Sequence, residues 1–506
     1  MFQGSVIACL LLSHLAGEST ARQTPAVELK FLVKDTQGKT MPCRIHLADK
    51  DNKPVRVPNQ VYWNDHFVCD GSPTLELSPG TYHWTVERGP EFERKSGTIQ
   101  LDQKKEIQVS LERISDLRSK GWIGGDMHVH RNPAHIQLLM QAEDLAFAPV
   151  ITWWNRPADK TPPPAKTVFQ FDRFRIYTTM AGEDERNGGA LLFFGMDRPL
   201  DLTVKSKEYP SPMEFARQAR DHDANVWIDI EKPFWWDMPV WIASGQMNSI
   251  GLANNHMCRS QMLASEAWGK PRNQKRLPSP KGNGYWTQEI YYHLLNSGVK
   301  IPPSAGSASG VLANPVGYNR VYVYCGEKFS RESWFTALKQ GKAFVTNGPL
   351  IQASANSQLP GHKFQFEGSP KTISIELDLI SNDFVPKLEV VFNGKVVKTI
   401  VCAKQLKQKK SFSFQADQPG WFLVRAIADV KPTFRFASTA PWYIESNDGK
   451  PSVSRSSSQF FLDWVNERIE QVRKNIESPD QRAEVVKHHL RALDFWKKKV
   501  ESATRD

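Results

Sequence analysis

The 506-residue chain has no run of about 18 apolar residues, so no segment reads as a membrane-spanning helix. Its six cysteines show no metal-finger spacing and no disulfide framework, although Cys43 and Cys69 share one small predicted unit and are candidates to pair. There is no glycine-rich loop ending in Lys-Ser/Thr and no GxGxxG, which excludes the common phosphate and dinucleotide cradles. Gly306–Gly310 (GSASG) is not a nucleophile elbow, because its centre is Ala308. Lys+Arg is 65 against Asp+Glu 54, a surplus of +11. No helix-turn-helix, zinc-finger or RNP-type pattern accompanies it, so no nucleic-acid partner is expected. Hydrophobic residues reach 40% and charged residues 24%, which excludes wholesale disorder, and the length exceeds one ordinary core. Sixteen tryptophans are present, several side by side, a habit common where ring-shaped polar ligands are held.

Residues 5–17 (SVIACLLLSHLAG) are apolar and precede the small-x-small triplet Ser19, Thr20 and Ala21. Residues 1–21 therefore read as a signal peptide, with a periplasmic or secreted destination. Short alternating strands predict an N-terminal β-sandwich over 25–113, with Val27, Leu29, Phe31 and Val33 on one face. Strands alternating with helix-length stretches predict an α/β domain over 114–345. Period two returns over 346–445, with Asn393-Gly394 as a hairpin turn, and predicts a second sandwich. The Ser-rich stretch 446–458 reads as a linker. Two apolar stripes, Leu462–Ile476 and Val486–Val500, predict an antiparallel helical hairpin over 459–503, with a capping box from Ser478 to Gln481.

Chemistry concentrates at predicted strand ends. Asp126, His128 and His130 are spaced by two after an apolar strand, so all three project to one side. Two imidazoles and a carboxylate on one face suit a divalent metal of the zinc, manganese or iron type. Other strands run into Glu183, into Asp229 and Glu231, and into His256. In a βα barrel the functional groups lie at such C-terminal ends. Trp153, Trp154, Trp235 and Trp236 fall beside them and are candidate ligand-binding rings, or ordinary barrel-end packing.

The segments DMHVH (126–130), GE (182–183), PSAGSASG (303–310) and NRVYVY (319–324) together resemble the PHP-domain metallohydrolases. The closest branch is the carbaryl-hydrolase-like (CehA/McbA) family in its exported bacterial form; TNGP (346–349) and FASTAPW (436–442) also fit it. The resemblance implies a distorted (β/α)7 barrel between two β-sandwiches, the first carboxypeptidase-regulatory-like. It implies up to three divalent ions and a metal-held hydroxide that attacks an ester, carbamate or phosphoester. His128 and His130 match the family's opening His-x-His, and Glu183 its bridging glutamate. His135 stands near another ligand's interval. Elsewhere the pattern departs: Trp153 and Trp154 replace a metal-binding Asp and His, and Gly188-Gly189, Asp229–Pro233 and Gly306–Gly310 lack the family's remaining ligands.

Two readings follow. One is a single-ion hydrolase: His128, His130 and Glu183, completed by Asp229, Glu231 or His256, with a spare Asp229 or Glu231 as general base. The other is a retired barrel that binds a small molecule or glycan through its tryptophans, without turnover.

Overall fold

The alternation in Val27–Lys34 is realised in packing: Leu29, Phe31 and Val33 are buried, and their neighbours face outward. A computed structural model describes residues 25–155, 165–204, 206–447 and 449–506. The expected signal peptide lies outside the described residues. The chain is multidomain and strand-rich, with several sheets and seven α-helices among the described residues. None of those helices is long and apolar enough to cross a membrane.

Near the N-terminus, a three-stranded sheet (Thr74–Leu77, Val27–Lys34, Lys105–Ser110) faces a five-stranded one running from Val61–Trp63 to Lys95–Leu101. They share a core that includes Phe31, Ile45, Phe67 and Val86. Cys43 and Cys69 sit opposite each other across two strands, with free thiols 3.7 Å apart.

The middle of the chain builds one long sheet. Trp122–Gly125, Phe147–Trp154, Arg175–Arg186, Trp227–Ile230, Ser249–Ala253 and Pro303–Ala305 all run parallel, with the antiparallel Gly189–Phe194 inserted between the third and fourth. The described strands do not close into a barrel. The far edge nevertheless curls back towards the first strand, for Met127 N–H donates to Ala305 O (3.0 Å) and His130 N–H to Ser309 O (2.8 Å).

The boundary expected at 345/346 is not a break in the sheet. Ala343–Thr346 pairs with Arg320–Tyr324 on one side and with Phe436–Thr439 on the other. The long sheet thereby continues into Gly420–Ile427 and Lys387–Phe392. A three-stranded sheet, Leu350–Ala355 with Lys371–Ile380 and Lys407–Ala416, packs on this extension through Ile373, Ile375, Leu377 and Leu379. Arginine–carboxylate pairs tie the parts together: Arg44 holds Glu87 and Glu143, while Asp383 takes Arg94 (2.7 Å) and Arg435 (2.6 Å).

The helical hairpin comprises Arg455–Asn475 and Pro479–Glu501. Its first helix starts four residues before the expected 459. Ser454 caps it by accepting from Ser457 N–H, and Ser457 and Ser458 are buried inside it. A serine run that reads as linker is here a helix start. The second helix buries Val485, Val486, His489, Ala492 and Trp496, whereas Leu490, expected on that face, is half exposed.

Candidate metal centre

Every strand of the parallel set ends on the same side of the sheet, and the polar residues gather there. Period two places Glu183 and Glu185 on one face of Arg175–Arg186. Asp184, between them, turns to the other face and pairs with Arg186 (2.6 Å). His128 and His130 follow the first strand, in an extended segment whose Val129 bridges to Val150 and Ser309. That segment approaches Gly306 so closely that a Cβ there would lie 2.4 Å from His128 Cβ.

At the centre, His128 Nε2 and His130 Nε2 are 3.0 Å apart. Glu183 reaches both, at 3.1 Å from His130 Nε2 and 3.5 Å from His128 Nε2. An ion held at metal–nitrogen distances of about 2.0–2.1 Å separates neighbouring ligands by roughly 2.9–3.4 Å, which these spacings approximate. On the far side of the ring, His128 Nδ1 meets Glu231 at 3.2 Å. That carboxylate fixes the Nδ1–H tautomer and leaves the Nε2 lone pair for a metal. The chemistry of the donor set therefore fits one divalent cation. Burial disfavours a charged His128, but Glu183 and then Glu231 outweigh it and push its pKa up to about 10. Burial likewise opposes ionisation of Glu183, yet His128 and His130 hold it well below the usual carboxylate range. The cluster favours positive charge between these groups.

Several expected ligands are occupied elsewhere. Asp126 lies outside the group: its carboxylate accepts N–H from His128 (3.0 Å), Ser307 (3.0 Å) and Gly317 (2.7 Å), so it shapes the turn. Asp229 lies outside it too. It accepts from Ser304 Oγ (2.5 Å) and from Ser249 Oγ, and burial, reinforced by Glu231, pushes it up to about 7. His256 packs on Phe234, with ring centroids 5.3 Å apart; burial and then Lys232 push its pKa down to about 3. His135 is exposed at the start of the helix Ile136–Ala142.

Glu231 is fully engaged and has no lone pair set aside for a general base. It accepts from Asn255 Nδ2 (2.6 Å) and Trp235 Nε1 (3.0 Å), pairs with Lys232, and contacts His128. Lys232 and then His128 hold it down to about 2 against burial. Its geometry is that of a positioning residue. Glu231→Gln is expected to weaken metal affinity about 10–100-fold, read by calorimetric titration, while leaving the ion count unchanged.

The tryptophans divide. Trp153 is core: it stacks on Phe193 and covers Gly182, where a Cβ would lie 2.2 Å from the indole. Trp154, 43% exposed, sits edge-on to His130 at 5.4 Å. Trp235 is buried, with Lys232 Nζ 4.4 Å above its ring. Trp236 turns away to Trp464 of the hairpin.

Four residues complete the site beyond those expected. Asn255 and Lys232 hold Glu231. Trp268, 47% exposed, stacks on Trp235 at 5.3 Å. Glu185 reaches inward from an exposed position until its carboxylate lies within 4.8 Å of Glu183 and Glu231. Loss of water around it, then the charges of Glu183 and Glu231, push Glu185 up to about 7. Its two-residue offset from Glu183 was a legible signal; Trp268 sits in an irregular loop and carried none.

A second grouping, His46, Asp65 and His66, lies in the N-terminal sandwich. Asp65 accepts from His66 Nδ1 (2.9 Å) and lies 3.3 Å from His46 Nδ1, while Arg44 Nε donates to His46 Nε2 (3.0 Å). These groups satisfy one another without an ion.

No protein-family profile matches the chain, and no curated protein does. Among solved structures, the CARDB domain of a Pyrococcus furiosus protein, in complex with di-metal ions, aligns at 14% identity over 19% of this chain and 91% of that one. Its TM-score is 0.14, and it carries no argument about this chain.

Proposed function

We propose that the chain is an exported metal-dependent hydrolase of the PHP/carbaryl-hydrolase type, with one divalent ion of the zinc, manganese or iron class held by His128, His130 and Glu183. The observation that carries this reading is the meeting of two imidazole Nε2 atoms, 3.0 Å apart, with the Glu183 carboxylate. The parallel strands that end at the site, and the return of the Pro303–Ala305 edge to the first strand, support a PHP-like α/β arrangement that stays open in place of the expected closed barrel. Export rests on the leader read in residues 1–21.

When bound, such an ion supplies a water acidic enough to be hydroxide near neutral pH. The chain's own residues do the rest. Glu231 orients His128 and keeps its proton on Nδ1. Glu185, its carboxylate within 4.8 Å of Glu183, is positioned to take a proton as general base. Trp154 at His130 and Trp268 over Trp235 offer ring faces to an aromatic or glycan substrate carrying an ester, carbamate or phosphoester.

A binding protein without turnover is favoured by one observation: Asp229 and Glu231, the carboxylates expected as bases, are both already engaged. Metal-stripped and reconstituted protein assayed on an aryl ester, an aryl carbamate and a phosphodiester decides between the two. Hydrolysis of at least one, lost on chelation and restored by one equivalent of metal, is expected. Glu185→Gln should keep the ion and lower kcat by about 10²-fold or more. Metal-loaded protein inert on all three, with a glycan quenching tryptophan fluorescence, would favour the binding reading.

A further inference from the structure

The site holds more acid than a single His2Glu centre uses. Glu183, Glu185 and Glu231 bring carboxylate oxygens within 4.8 Å of one another. Asn255, 6% exposed, stands beside them with Nδ2 on Glu231 and an Oδ1 that has no hydrogen-bond partner. The three carboxylates form an oxygen-rich set of the kind hard divalent cations select. Carboxylates this close do not all stay ionised without positive charge among them.

One cation is already built in. Lys232 is 2% exposed, its ammonium pairs with Glu231, and it lies 4.4 Å from the centroid of the Trp235 ring. An ammonium is a compact point charge with three N–H groups, a fair substitute for a small ion. We propose that the Lys232 ammonium, by holding Glu231, withholds that carboxylate from a second cation and so limits the centre to one divalent ion. The inference deepens the metal-centre reading and rests on it. Geometry argues for it: the ammonium sits on one Glu231 oxygen, and Trp235 and Asn255 take most of the carboxylate's remaining capacity, so Glu231 has little to offer a second ion. A second divalent ion would stand beside this buried ammonium, which is costly. Lys232 is thus a positioning residue that sets metal stoichiometry.

Elemental analysis of the folded, full-length protein after equilibration with excess Mn²⁺ or Zn²⁺ tests this. Wild type should carry one equivalent. Lys232→Gln should carry two, and Lys232→Met, which keeps the chain length without charge, should do the same. The double variant Lys232→Gln/Glu231→Gln, which removes both partners, should return to one. If either single variant folds only with metal present, the ion count of its folded fraction gives the same readout. One equivalent in the wild type and in both single variants would overturn the proposal, since Lys232 would then only pair with Glu231. Two equivalents in the wild type would overturn it as well. Zero equivalents in the wild type would instead remove the metal-centre reading beneath it.

Discussion

Replacing His128 and His130 together with alanine is expected to leave the chain without a divalent ion at this centre and without any metal-dependent rise in melting temperature. Both Nε2 donors disappear, and Glu183 by itself offers one carboxylate. A ligand present at a thousand times its Kd stabilises the folded state by about 4 kcal/mol, and that whole contribution should vanish. The metal-free melting temperature should move much less, because the segment 126–130 is also held by its backbone bonds to Ala305 and Ser309. Elemental analysis with scanning calorimetry, with and without added metal, checks this. A variant that keeps one equivalent and its full metal-linked shift would contradict the ligand assignment.

The second large effect lies outside the centre. Arg468, on the first helix of the hairpin, is 2% exposed and pairs with Asp237 (2.7 Å) and Glu208 (2.6 Å). His489 stands on the same Asp237 oxygen at 3.4 Å. Asp237 follows Glu231 and Trp235 in the loop behind Trp227–Ile230, and its N–H donates to Gly188 O. Arg468 holds Asp237 well below the usual carboxylate range against burial, and both of its acids raise the guanidinium in turn. Arg468→Ala strands two buried carboxylates and is expected to cost about 3–5 kcal/mol. Urea unfolding measures it. A loss below about 1 kcal/mol, the range of an exposed pair, would show that the hairpin does not depend on this contact.

How much of this was legible depends on how local each signal is. His128 and His130 are visible because spacing by two on a strand fixes the side to which they project, and Glu183 because it ends a predicted strand and matches the resembled family's glutamate; no distant partner is needed to see either. The same rule divides the tryptophans: adjacent strand residues face opposite ways, so Trp153 is core where Trp154 is exposed beside His130. Asp229 and Glu231 are both buried, but what they do depends on Ser249, Ser304 and Asn255, which come from other segments. No local pattern encodes such long-range partners. The continuity of the long sheet through Ala343–Thr346 was hidden for the same reason, since each strand's neighbours lie far away in sequence. The early start of the hairpin was misread differently: serine favours loops and N-caps alike, and only the packing of Ser457 and Ser458 decides between them.

The central claim is that His128, His130 and Glu183 form a metal centre. Anomalous diffraction from crystals of the full-length protein grown with Mn²⁺ or Zn²⁺ tests it most directly. One peak should lie about 2.0–2.2 Å from the Nε2 atoms of both histidines and from a Glu183 oxygen. Crystals with no peak there, and with the two imidazoles still hydrogen-bonded to each other, would contradict it.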